Sequence, residues 1–225
     1  MKLTFLHGFL GSPEDFKSFN LPGTFLTLPG HQGRPLDLTL LEKEISEKTV
    51  LIGYSLGGRL ALHFAKRFPE RIAGLVILSA NPGLERGIEE RKLWDEKWAS
   101  LLETEGMELF IKKWYAQPLF SSLNPDRLIG RANHDPHSLA QVLREWSPAR
   151  LPSLWKNLEE FSFPLLFLFG ANDIKYKPIA ERLRKTFPVD YIPNAGHAIH
   201  VENPRLCAEK IQAFIGGISE YSDGK

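Results

Sequence analysis

The sequence predicts an α/β domain: a mostly parallel central sheet of about six strands flanked by helices, with an all-helical segment inserted between strands. Three observations carry this reading. Short apolar runs recur along the chain and are continuous rather than alternating, the pattern of strands covered on both faces. Helical periodicity separates several of these runs. Between about residues 83 and 155 no strand pattern occurs, and helical segments rich in Trp, Leu and charge replace it.

Taken in order, the strand candidates are LTFL (3–6), TFLTL (24–28), TVLIG (49–53), AGLVILS (73–79), PLLFLFG (164–170) and VDYIP (189–193). Helical spacing of apolar residues predicts helices over 37–47, 56–68, 178–187 and 204–215. In 56–68 the residues Leu56, Leu60, Phe64 and Phe68 recur every fourth position. The insertion divides into helical stretches 88–103, 105–115, 124–132 and 136–146, punctuated by Pro or Gly at 87, 106, 118, 125 and 136. Its tryptophans, Trp94, Trp98, Trp114, Trp146 and Trp155, are too many for a structureless loop. Residues 1–82 and 156–225 therefore form the core. Residues 83–155 form a cap over the sheet's carboxyl edge; the blander alternative is a helical subdomain with no part in the site.

The chain has 225 residues, 43% hydrophobic and 24% charged, with a formal net charge of +1. That suits one domain with an insertion and argues for neither nucleic acid nor an anionic membrane as partner. The single cysteine, Cys207, excludes an internal disulfide framework and fits a reducing compartment. The opening MKLTFLHGF breaks too early for a signal-peptide core, and no apolar run reaches the roughly 18 residues of a spanning helix. A soluble, cytoplasmic protein is expected.

GYSLGG, residues 53–58, fits G-x-S-x-G with a strand before it and a helix after it. In such a turn the serine hydroxyl projects above the sheet, and flanking glycines avoid the neighbouring strand and helix. Ser55 needs a histidine, and the histidine an orienting acid. The loop after PLLFLFG delivers Asp173, and the loop after VDYIP delivers His197. Asp190 is a poorer acid because it lies within a strand run. His200 competes with His197, but His197 follows the small Ala195 and Gly196, and His200 is assigned to the surface. The amides of Leu56 and Phe9 are the expected oxyanion donors, with His7 supporting the second. The blander reading of the motif is a small-residue turn around a buried serine. His31 is given a structural place and Cys207 one in the core. His63 lies within a helix. His134 and His137 lack a third ligand with plausible spacing, so no metal site is assigned.

FLHGFLGS, LPGHQG, GYSLGGRLAL, GANDIKY and NAGHAIHVENP together resemble the α/β-hydrolase superfamily across nearly the whole chain. The cap pieces NPGL, DEKWA, WYAQPLFSSLN and LREWSPA look like one branch, the 2-succinyl-6-hydroxy-2,4-cyclohexadiene-1-carboxylate synthases. The resemblance implies a cofactor-free lyase that eliminates pyruvate from a small tricarboxylate. In it Ser55, His197 and Asp173 would remove a proton rather than form an acyl-enzyme. It also implies substrate-binding arginines at Arg59, Arg91 and Arg131, with Arg86 and Arg127 as alternatives to the latter two, and Tyr54 and Trp114 packing on the substrate ring. Without the resemblance, Arg59 on a helix surface reads as a solvated charge. The segment between EER and DEKW and that between SLN and RAN are shorter than the family's pattern. An ester hydrolase acting through an acyl-enzyme on the same triad, and an idle scaffold, are the competing functions.

Overall fold

The computed structural model describes residues 1–124 and 131–223. Six strands form one sheet: β1 (Leu3–Leu6), β2 (Thr24–Leu26), β3 (Thr49–Tyr54), β4 (Ile72–Leu78), β5 (Leu165–Gly170) and β6 (Val189–Ile192). Their order is β2-β1-β3-β4-β5-β6, and every neighbouring pair is parallel. The helices are α1 (Thr39–Glu44), α2 (Leu56–Arg67), α3 (Ile88–Tyr115), α4 (Pro136–Glu145), α5 (Lys177–Leu183), α6 (Ile199–Glu202) and α7 (Pro204–Asp223).

The continuous apolar runs are explained by two cores. Val50, Ile52, Val76, Leu78, Leu166 and Leu168 face one layer, which includes α7 and the underside of the cap. Their alternates Leu51, Leu75, Ile77, Leu165 and Phe167 face the other, with Leu41 of α1, Leu60 and Phe64 of α2, and Leu183 of α5. A strand with helices on both sides has no polar face to show.

The insertion leaves the sheet after β4 and returns before β5. Its ends are stitched together where Leu154 N–H donates to Pro82 O (2.7 Å) and Trp155 Nε1 donates to Gly83 O (3.1 Å). The two helices expected over 88–103 and 105–115 form one element, α3, broken at Gly106 (φ 75°, ψ −175°). Asp135 caps α4 by accepting from Ser138 N–H at 2.7 Å. The helix expected over 124–132 falls mostly outside the described residues. Residues 147–157 carry no helix. Among the described residues, no helix is long and apolar enough to cross a membrane.

The backbone at Gly106 lies in a region open essentially to glycine, and nothing sits within 4 Å of the space a Cβ would take. Gly106→Ala should therefore lose about 1–3 kcal/mol through backbone strain alone. Gly216→Ala, in the equally open helical interior of α7, should gain about 0.5–1 kcal/mol. Urea midpoints of the two variants check the pair of opposite signs.

Candidate active site

The carboxyl ends of β1, β3, β5 and β6 converge beneath the cap. At the end of β3, Ser55 takes φ 49° and ψ −108°, a left-handed conformation rare for a residue with a side chain. Crowding enforces it. A Cβ on Gly57 would lie 2.4 Å from the carbonyl oxygens of both Leu6 and His7, and one on Gly53 would lie 2.4 Å from Gly57 O. Helix α2 thus begins hard against β1 and β3, with Ser55 at its N-terminus.

His197 Nδ1–H donates to Asp173 Oδ2 at 2.8 Å, and its Nε2 faces Ser55 Oγ at 3.2 Å. The carboxylate at Nδ1 assigns the proton there and leaves Nε2 to accept from the serine hydroxyl. Asp173 and His197 are both buried. Asp173 Oδ1 also accepts Tyr176 N–H (3.1 Å), and the Tyr176 ring packs 4.6 Å from the imidazole. Glu202 holds the histidine loop from both sides: its carboxylate accepts Gly196 N–H (2.8 Å) and Ala198 N–H (3.0 Å). Asp190 lies elsewhere, exposed and paired with Lys210.

Leu56 and Phe9 both line the cavity beside Ser55. Leu56 opens α2, so its amide has no intrahelical acceptor and lies at the positive end of the helix. His7 braces the Phe9 loop, donating from Nδ1 to Gly8 O (2.8 Å) and accepting Leu28 N–H at Nε2 (2.9 Å).

His200 is not on the surface, which corrects the expectation. It is 1% exposed, its ring lies 3.9 Å from Tyr54, and Phe16 covers its other side at 5.4 Å. The turn of α6 carries it inward beneath the Pro13–Phe19 segment, a packing with no local sequence signature. It makes no bond to Ser55 or Asp173, and burial keeps its imidazole neutral.

The cap closes the cavity with Trp94, Trp114 and Trp146. Trp114 stacks on Phe110 (5.3 Å) and tilts against Phe9 (5.0 Å), so it belongs both to the cap's core and to the cavity wall. Tyr54 lines the opposite wall, its hydroxyl pushed well above the ordinary range by burial.

The three expected arginines all reach this cavity, in different states. Arg131 is engaged by Asp15 through two contacts of 2.8 Å and donates to Leu10 O at 2.9 Å. Arg91 Nε bridges both oxygens of buried Asp95 (2.9 and 2.8 Å), and its guanidinium lies over Trp94 at 4.7 Å. Ser147 hydroxyl donates to the same Asp95 carboxylate. Arg59 has no carboxylate partner among the described residues; its Nε is buried without an acceptor. Desolvation lowers its pKa to about 10. Arg86 is exposed away from the cavity, and Arg127 lies outside the described residues. Sequence reasoning missed Asp15, Asp95, Ser147, Lys175, Tyr176 and Glu202 as parts or braces of the site. Only Tyr176 and Lys175, next to Asp173, carried a positional signal.

Behind the Phe9 loop, His7, His31 and His134 form a ring chain with centroids 4.9 and 5.4 Å apart. His134 faces Gln32 N–H and Leu10 O, each at 3.2 Å. Among the described residues no group of three His, Cys, Asp or Glu is placed to hold a metal. Cys207 is buried in the core.

Burial lowers the pKa of His7, of His134, and of His31, the last to about 3. An unfolded chain protonates the same residues near 6.5. Their contribution to stability is thus complete above about pH 6.5 and is lost as pH falls below it, at up to about 1.4 kcal/mol per pH unit per ring. Thermal midpoints should drop between pH 7.5 and 5, and His31→Gln should flatten that slope; equal midpoints at both pH values would contradict the account. Arg59→Met should raise the midpoint, because it removes an unsatisfied buried donor worth about 1 kcal/mol or more.

A model of the alpha/beta hydrolase family matches residues 5–210. The putative 2-succinyl-6-hydroxy-2,4-cyclohexadiene-1-carboxylate synthase of Bacillus subtilis (strain 168) is 34% identical, over 95% of this chain and 89% of its own. The synthase of that name from Escherichia coli O1:K1 / APEC is 35% identical, over 90% of this chain and 88% of its own. The solved structure of MenH from S. aureus superposes with a TM-score of 0.88 at 30% identity, covering 97% of this chain and 94% of that one. With a shared fold, near-complete mutual coverage and this identity, the chain belongs to the 2-succinyl-6-hydroxy-2,4-cyclohexadiene-1-carboxylate synthase family of α/β hydrolases.

Proposed function

We propose that this protein is a lyase of menaquinone biosynthesis. It eliminates pyruvate from 2-succinyl-5-enolpyruvyl-6-hydroxy-3-cyclohexene-1-carboxylate to give 2-succinyl-6-hydroxy-2,4-cyclohexadiene-1-carboxylate. The observation that carries the reading is the juxtaposition of two features in one cavity. A serine hydroxyl is hydrogen-bonded to a histidine held by a buried aspartate, and the same cavity is lined by the half-buried Arg59, whose Nε has no acceptor and which has no carboxylate partner among the described residues. The first makes a base and the second calls for a carboxylate.

His197 draws the hydroxyl proton of Ser55, and Asp173 steadies the resulting imidazolium. The serine oxygen then takes the proton next to the succinyl ketone. Negative charge collects on the ketone oxygen, where the amides of Phe9 and Leu56 stabilise it. The electron pair shifts through the ring, forms the second ring double bond and breaks the carbon–oxygen bond to the enolpyruvyl group. The departing enolate is protonated to pyruvate. Arg59, Arg91 and Arg131 meet the substrate carboxylates, which would be costly to desolvate unpaired. Tyr54 and Trp114 pack on the ring. The reading carries with it a cytoplasmic location, supported by the single, buried Cys207.

Incubation with the enolpyruvyl cyclohexene, followed by lactate dehydrogenase-coupled detection of pyruvate, tests the reading. Ser55→Ala should lower turnover roughly 10²–10⁴-fold. Arg59→Ala should lower kcat/KM roughly 10–100-fold, the value of a charged hydrogen bond. Hydrolysis of p-nitrophenyl acetate without pyruvate release from the cyclohexene would replace the lyase by an ester hydrolase.

A further inference from the structure

We propose that Lys175 is a further substrate-binding residue, an ammonium that takes one carboxylate of the tricarboxylate at the cavity wall. The inference rests on the lyase reading and deepens it.

Charge accounting across the cavity leads there. Four permanent cations line it: Arg59, Arg91, Arg131 and Lys175. Two carboxylates in the wall, Asp15 and Asp95, already belong to Arg131 and Arg91. Arg131 is held by a two-point contact with a carboxylate as buried as itself. Arg91 shares Asp95 with Ser147. To bind substrate fully, either arginine must give up a partner or divide its donors. Two cations make no ion pair among the described residues: Arg59, and Lys175, on which Asp173 acts only through its longer-range charge.

Lys175 is also held where a binding residue is needed. It sits two positions after Asp173, on the loop between β5 and α5. Its backbone is pinned on either side, because Asp173 and Tyr176 are both buried and Tyr176 N–H donates to the Asp173 carboxylate. The side chain, exposed over much of its length, runs along the mouth of the cavity. Its pKa is lowered by desolvation and by the charge of Arg91, whereas Asp173 opposes the shift. An incoming carboxylate offsets both with its opposite charge. A compact ammonium on a flexible stem also adapts to a carboxylate whose plane is not set in advance, whereas Arg59 offers a rigid fork.

Steady-state pyruvate release by the full-length protein tests this. Lys175→Ala should raise KM for the enolpyruvyl cyclohexene roughly tenfold with kcat within about twofold, the signature of lost uniform binding. Lys175→Arg should restore KM to within about threefold of the parent. Lys185→Ala, an exposed lysine at the end of α5 outside the cavity wall, should leave KM unchanged. The KM gap between parent and Lys175→Ala should narrow as salt is added. Parental KM in Lys175→Ala, or a loss in kcat alone that arginine does not rescue, overturns the assignment and leaves the lyase reading standing. Absence of pyruvate release from the parent protein overturns both.

Discussion

Backbone crowding around Ser55 governs the rest of the site. Helix α2 begins where β1 and β3 end, so close that a Cβ at position 57 would strike the carbonyls of Leu6 and His7. Only a sharp turn with positive φ joins strand to helix at that distance, and it falls on Ser55. Such a conformation costs roughly 1–3 kcal/mol, and persists because buried strands and a buried helix face fix both of its ends. The hydroxyl then has one direction available, upward into the space beneath the cap. The N-terminus of α2 and the loop after β1 arrive beside it for the same reason.

A second constraint comes from the cap. Its inner surface is mostly apolar, yet it carries arginines into a region of low polarity. Asp15 and Asp95 make that tolerable for Arg131 and Arg91, since a buried guanidinium without an anion is expensive. Arg59 has no such relief among the described residues. Under the proposed function, the desolvation it already suffers lessens the cost of binding an anionic substrate, and stability given up at one guanidinium is recovered as affinity.

The histidines divide by burial and partner. His7, His31, His134 and His200 are held neutral by desolvation, and none makes an ion pair with a carboxylate among the described residues. His197 is the one paired with a carboxylate among the described residues. Neutral neighbours keep the walls free of additional charge, and in the Phe9 loop they serve as hydrogen-bonding struts. Their neutrality also sets the acid limit of the fold.

Local sequence was enough for whatever depends on near neighbours. Continuous apolar runs mark strands buried on both faces. G-x-S-x-G between strand and helix marks Ser55, and the loops after the last two strands mark Asp173 and His197 in order. The fusion of two cap helices across Gly106 was hidden, because a glycine signals a break without saying whether the helix resumes. Partners distant in sequence were hidden as well. Arg131 meets Asp15 across 116 residues, and Ser147 meets Asp95 across 52. The burial of His200 follows from where α6 is folded under the Pro13–Phe19 segment. The sequence by itself determined which groups can do chemistry, because nucleophile, base and acid are set by residue type and by strand-end position. Tertiary structure alone decided which cations remain free to bind, because a charge is neutralised by whatever lies nearest in space and chain order does not record that distance.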